Sequence, residues 1–153
     1  VDEAMAVTVA GMAGGDLVPA YPVTGEWAEL STGSTLPAWR ANLVRGTQTE
    51  ARVLAALGQT GPKRTVEGIV DGQVVKTVPD FIDDSACIVG EVKDVAKLSL
   101  EIQLRAEQRW AADHGYRFML ILRETTERTG PLNEWLRENY VLVKSIEEVL
   151  SGR

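Results

Sequence analysis

The chain has 153 residues, 44% of them hydrophobic and 25% charged, which suits one ordinary domain or a domain with an appendage and excludes full disorder, collagen and low complexity. A single cysteine, Cys87, excludes an internal disulfide and a thiolate zinc site, and a single histidine, His114, excludes any two-histidine metal motif. The formal net charge of -6 offers no simple basic footprint for nucleic acid, so carboxylates, lysines, hydroxyls and an oxygen-ligated metal are the chemistry left.

The charge is uneven. Residues 1–40 hold 5 acids and 1 base, whereas the rest holds 17 acids and 15 bases and is close to neutral. The least polar stretch, Ala4 to Gly15, is 12 residues long and has no basic flank. A bilayer span needs about 20 apolar residues, so neither a membrane span nor a signal peptide is expected, and no stable membrane partner. A chain opening at Val1 is expected to be a fragment or a processed product. Residues 1–42, broken by glycines and prolines, read as an irregular linker or covering segment, and 43–153 as the folded domain.

Thr47 to Leu57 reads as a helix closed by Gly58, with Val53, Leu54 and Leu57 on one side. Thr47-Gln48-Thr49-Glu50 matches a capping box, although Glu50 falls on the inward side beside Leu54 and Leu57. Thr65 to Val70 and Gln73 to Val78 flank Asp71-Gly72, a two-residue hairpin turn. A second turn at Asp83-Asp84-Ser85 joins the strand ending near Ile82 to one from Ala86 to Lys93, giving three antiparallel strands in sequence. A long helix follows over Ser99 to Asp113, then an apolar strand from Tyr116 to Arg123. A short helix from Pro131 to Asn139, a strand from Tyr140 to Val143 and a helical turn at Ile146 to Leu150 complete the chain. The order α-β-β-β-α-β implies an α/β (α+β) fold, a mixed central sheet flanked by helices.

Alternation puts Cys87, Val89, Glu91 and Lys93 on one strand face, and the preceding strand can set Asp80 beside Glu91. Two neighbouring carboxylates repel unless something positive lies between them, and a hard divalent cation such as Mg²⁺ answers that. Lys93 adds a cation suited to positioning an attacking water or offsetting charge on phosphorus. The plainer alternative is a surface strand of mixed charges. On the long helix Leu100, Leu104 and Ala111 mark the apolar side, and Glu101 and Arg105 form an i, i+4 pair opposite. Gln103 and Glu107 lie within the apolar arc and need polar partners there. His114 suits a helix end, Trp110, Trp135 and Phe118 suit the core, and Arg105, Arg109, Lys97, Lys63 and Arg64 are candidate phosphate contacts or plain solvated charges.

Asp80 followed by Glu91-x-Lys93 on this succession of elements resembles the PD-(D/E)xK nuclease superfamily. The resemblance is closer to the restriction-endonuclease-fold toxin domains of bacterial Rhs and other polymorphic toxins. It rests on Arg45-Gly46-Thr47-Gln48-Thr49-Glu50-Ala51-Arg52-Val53-Leu54, on Val78-Pro79-Asp80-Phe81, on Gly90-Glu91-Val92-Lys93-Asp94-Val95, and on Leu98-Ser99-Leu100 with Gln103-Leu104-Arg105. It spans about residues 43–146. The resemblance implies a restriction-endonuclease-like core. It also implies Asp80, Glu91 and the Val92 carbonyl as metal ligands, Lys93 as the catalytic lysine, Glu50 as an acid completing the site and Gln103 as its helix-borne partner. The implied function is a Mg²⁺-dependent nonspecific DNase, with Mn²⁺ as a possible substitute. It would be delivered as an effector to a target bacterial cytoplasm and held inactive in the producer by an immunity protein. An RNase or tRNase on the same scaffold, a noncatalytic interaction module and a two-carboxylate glycosidase are the alternatives, the last leaving Lys93 without a role.

Overall fold

The computed structural model describes residues 37–152. The chain divides into two units between Leu43 and Val44. The irregular reading of residues 1–36 lies outside the described residues. From Ala38 the chain is helical, and helix α1 runs over Ala38–Ala56. Its first turn is set by Pro37, whose carbonyl accepts from Arg40 N at 3.0 Å and Ala41 N at 2.9 Å; a proline loses nothing there, because the first turn has no use for its N–H. The helix therefore starts well before Thr47. Thr47 lies in its interior, and the expected capping box at Thr47–Glu50 does not form. Gly46 accounts for the difference: a helical glycine costs only about 1 kcal/mol and does not end a helix. The other end is as expected, with Gly58 at φ 72° and Gln59 N donating to Leu54 O.

Strands β1 (Val66–Val70) and β2 (Gln73–Thr77) form an antiparallel hairpin in which Val70 faces Gln73. Asp71 at φ 51° and Gly72 at φ 79° make the turn, both in the left-handed region that a two-residue hairpin demands. The expected meander of three strands is corrected here. The long second strand breaks at Pro79, which has no N–H for a ladder, and β3 (Phe81–Asp83) starts afresh. The hairpin is thus its own two-stranded sheet. The central sheet has the order β3-β4-β6-β8, with β4 at Ile88–Lys93, β6 at Arg117–Leu122 and β8 at Leu142–Ser145. Of these strands, β3 pairs antiparallel with β4, while β4/β6 and β6/β8 are parallel. Two-residue strands β5 (Lys97–Leu98) and β7 (Glu127–Arg128) form a small parallel ladder.

Strand β6 is apolar throughout its buried length, as a parallel strand covered on both faces must be. Phe118, Leu120 and Leu122 join Val89, Leu104, Leu132 and Leu136 on one side. On the other, Met119 and Ile121 join Val53, Phe81, Val92, Ile146 and Val149. Helices α2 (Ile102–Asp113) and α3 (Gly130–Glu138) supply the first layer; α1 and α4 (Ile146–Leu150) supply the second. The result is the expected α+β class, a mixed sheet between helices. A capping box does occur in this chain, at Ser145 and Glu148 of α4. His114 ends α2, stacked on Trp110, with Nδ1 2.8 Å from the Trp110 carbonyl. Among the described residues no helix is long and apolar enough to cross a membrane.

The hairpin packs on α2 through one close approach. A Cβ on Gly68 would lie 2.1 Å from the Ala106 carbonyl oxygen, so β1 presses directly on the backbone of α2. The hairpin thereby delivers Thr77, at its end, to the buried side of α2.

Candidate active site

The site gathers at the end of β4. Alternation turns Val89 into the core under α2 and carries Glu91 and Lys93 to the same side, while Val92 packs toward α1. Asp80 precedes β3 and lies across the ladder from Glu91, its N–H bonded to the Gly90 carbonyl at 3.0 Å. Its side chain is fixed as well: Oδ2 accepts from Val92 N at 2.7 Å.

Glu91 is buried beneath α2. Its Oε2 accepts from Gln103 Nε2 at 3.1 Å, and the same amide donates to Glu107 Oε2 at 3.1 Å. Thr77 Oγ1 donates to that Glu107 oxygen at 2.7 Å. Lys93 Nζ donates to Gln103 Oε1 at 3.2 Å, and lies 3.3 Å from Glu101 Oε1 and 3.8 Å from Glu91 Oε2. Gln103 uses both ends of its amide: the oxygen orients the lysine and the nitrogen joins the two carboxyls. That fulfils the need of two polar residues on the apolar arc of α2. The expected Glu101–Arg105 pair is not formed. Glu101 turns to Lys93 from the start of α2, and Arg105 reaches back to Asp71 at 2.9 Å.

The electrostatics follow from burial. Loss of solvent pushes the Asp80 carboxyl well above its ordinary range; Glu91 and Glu50 push the same way, against Lys63 and the Val92 N–H. Burial also raises Glu91 well above its range, helped by Glu107 and opposed by Lys93. Glu107 is pushed up to about 7 by burial, while hydrogen bonds from Thr77 and Gln103 pull it down. For Lys93, burial works against the charge, but Glu91, Glu101 and Asp80 outweigh it and hold the ammonium above the usual lysine range. Lys93 is therefore held as a positive charge at neutral pH.

Glu50 stands at the margin, on α1. It meets Asp80 through Lys63, whose Nζ is 2.5 Å from Glu50 Oε2 and 3.3 Å from Asp80 Oδ1. Among the described residues, no three His, Cys, Asp or Glu side chains are grouped as a ready-made metal cage. Val92 N and Lys63 hold the two Asp80 oxygens, and Lys63 also holds Glu50. The donor set nonetheless fits a hard divalent cation. Glu50, Asp80, Glu91, Glu101 and Glu107 gather here, and among the described residues two ammonium groups, Lys63 and Lys93, lie within ion-pair distance of these carboxyls. Glu91 Oε1 and Glu107 Oε1 are buried with no hydrogen-bond partner. Buried carboxylate oxygens in excess of positive charge, with no sulfur or imidazole among them, match the preference of Mg²⁺ or Mn²⁺.

The structure thus brings Asp80, Glu91, Lys93 and Gln103 together, with Glu50 one ammonium away. At Val92 it is the N–H that is engaged, by Asp80. Sequence reasoning assigned no site role to Thr77. It named Lys63 only as a phosphate contact. It also overlooked Asp94, one residue past Lys93, whose nearly buried carboxylate takes Thr49 Oγ1 at 2.5 Å and Arg123 Nε at 2.6 Å and so ties α1 to the end of β4. Thr49 and Asp94 both fall in the stretches that suggested the site, but no sequence pattern pairs residues 45 positions apart. Of the other candidate phosphate contacts, Arg64 is engaged with Asp84 at 2.7 Å and Arg109 with Asp113 at 3.2 Å.

Comparison with known proteins gives one family. The model of restriction endonuclease fold toxin 7 matches residues 46–132, which include every residue of this cluster. No curated protein and no solved structure matches the chain.

Proposed function

The chain belongs to the restriction endonuclease fold toxin 7 family, and from that premise we propose that it is a Mg²⁺-dependent nuclease that cuts DNA without sequence preference. The observation behind this reading is the convergence at the end of β4: two buried carboxyls, Asp80 and Glu91, beside a lysine that stays charged, with one Glu91 oxygen unpartnered. Asp80, Glu91 and the Val92 carbonyl would hold the ion, with Glu50 joining from α1. When bound, Mg²⁺ supplies Lewis acidity, activating water and screening charge on the phosphoryl group. Lys93 orients the attacking water and offsets negative charge growing on phosphorus. Gln103 keeps Lys93 and Glu91 in register. Asp80 is held in place by the Val92 N–H. A near-neutral body suits a substrate gripped chiefly at the site, and among the described residues no separate recognition element points to sequence-specific cutting.

In biology the proposed role is an effector of interbacterial competition, delivered into the cytoplasm of a target bacterium. An active nuclease kills its producer unless blocked, so a cognate immunity protein is the expected partner. The test is direct. The purified chain is incubated with plasmid, total RNA and tRNA, with Mg²⁺ and with EDTA. Plasmid cleavage that requires Mg²⁺ and is lost in Asp80→Ala supports a DNase. Cleavage of RNA or tRNA alone moves the reading to an RNase on the same scaffold. Intact substrates throughout refute a nuclease.

A further inference from the structure

We propose that Lys63 is a tethered counter-ion: its ammonium holds the position of a divalent cation between Glu50 and Asp80, and metal binding must displace it. The inference rests on the metal-dependent nuclease reading. Lys63 Nζ lies 2.5 Å from Glu50 Oε2 and 3.3 Å from Asp80 Oδ1. Asp80 Oδ2 is anchored by Val92 N, which leaves Oδ1 facing the opening toward Glu50, and there Lys63 occupies it. A divalent ion bridging Asp80 and Glu50 would stand where the ammonium stands, and two cations that close repel strongly.

The two lysines of the cluster differ in the way this role needs. Lys93 lies within β4, is 19% exposed and is held by Gln103, Glu101 and Glu91. Lys63 sits between α1 and β1, outside any helix or strand, on a segment that includes Gly58, Gly61 and Pro62. Its side chain is 43% exposed, more than twice the exposure of Lys93, so its ammonium can pass to solvent when it lets go. Lys93 is built in; Lys63 can leave.

Mn²⁺ binding to the full chain is measured by calorimetry for the native protein, Lys63→Met and Lys76→Met, the last an exposed lysine paired with Glu67 that serves as the control. Lys63→Gln repeats the test should Lys63→Met fail to fold. Displacement predicts at least a 5-fold tighter Mn²⁺ affinity in the Lys63 variant, and a larger rise in melting temperature on adding Mn²⁺, with Lys76→Met unchanged. Equal or weaker affinity in the Lys63 variant overturns the inference while leaving the metal centre standing. No Mn²⁺ binding to either protein overturns both this inference and the metal-dependent reading.

Discussion

Asp80 Oδ2 accepts a 2.7 Å hydrogen bond from the backbone N–H of Val92, the residue between Glu91 and Lys93. The acid from one strand is thereby locked to the backbone that presents the other acid and the lysine. The three groups form one unit, set by the β3/β4 register.

Asp80→Asn separates charge from geometry. Asparagine retains an oxygen for the Val92 N–H but cannot ionise. The variant is expected to fold with at least native thermal stability, since a buried charge is removed, and to lose nuclease activity by about 100-fold or more. Melting curves alongside a plasmid-nicking assay check both halves.

Lys93→Met should uncouple catalysis from metal binding. Lys93 acts as a positive charge rather than a ligand, so its loss is expected to lower kcat by about 100-fold. Mn²⁺ affinity should be unchanged or tighter, because an ammonium near the carboxyls is gone. Raising the pH should not restore activity, which a role as a base would allow. Single-turnover rates and Mn²⁺ calorimetry on the same preparation decide it.

Stability without metal should fall as pH rises. Glu107 titrates near 4.5 when unfolded and at about 7 in the fold, so the folded chain binds the extra proton in between. The stability contributed by that proton is complete below about 4.5 and is lost as pH climbs through 7; Asp80 and Glu91, also raised, add in the same direction. The penalty from Glu107 alone reaches up to roughly 3 kcal/mol at pH 8, taking 1.36 kcal/mol per unit. Urea unfolding in EDTA at pH 5 and pH 8 should show the decline. Glu107→Gln, which keeps an acceptor for Thr77 and Gln103, should flatten it, and Mg²⁺ should raise stability most at pH 8.

Gly68→Ala tests the placement of the hairpin. The added Cβ would meet the Ala106 backbone at 2.1 Å, and backbone cannot turn aside as a side chain can. A loss of about 3 kcal/mol is expected. In the folded fraction, Thr77 should be displaced from Glu107. Denaturant midpoints measure the loss, and Gly72→Asn at the turn is the mild comparison, since asparagine tolerates positive φ.

Much of this arrangement was legible because local physics fixed it. The Asp71-Gly72 turn, the apolar strand at Phe118–Leu122 and the polar pair Gln103 and Glu107 on an apolar arc each have one reading that satisfies burial. Alternation along β4 put Glu91 and Lys93 on one side, and the register across the turn put Asp80 beside them. What escaped was either weakly coded or long-range. The start of α1 hid behind Gly46, which a helix tolerates at small cost, so a cap was expected at Thr47. Pro79 should have split the second strand, and its missing N–H was the available signal. The contacts from Lys63 to Asp80, Thr77 to Glu107 and Thr49 to Asp94 join separate elements and follow only from how those elements pack.

The most direct measurement is anomalous scattering from a crystal soaked in Mn²⁺. The account predicts one ion bounded by carboxylate oxygens of Asp80 and Glu91 at about 2.1 Å, with Lys93 alongside and not coordinating. An ion bound elsewhere, or none at this position in a preparation that cleaves DNA with Mn²⁺, would contradict it.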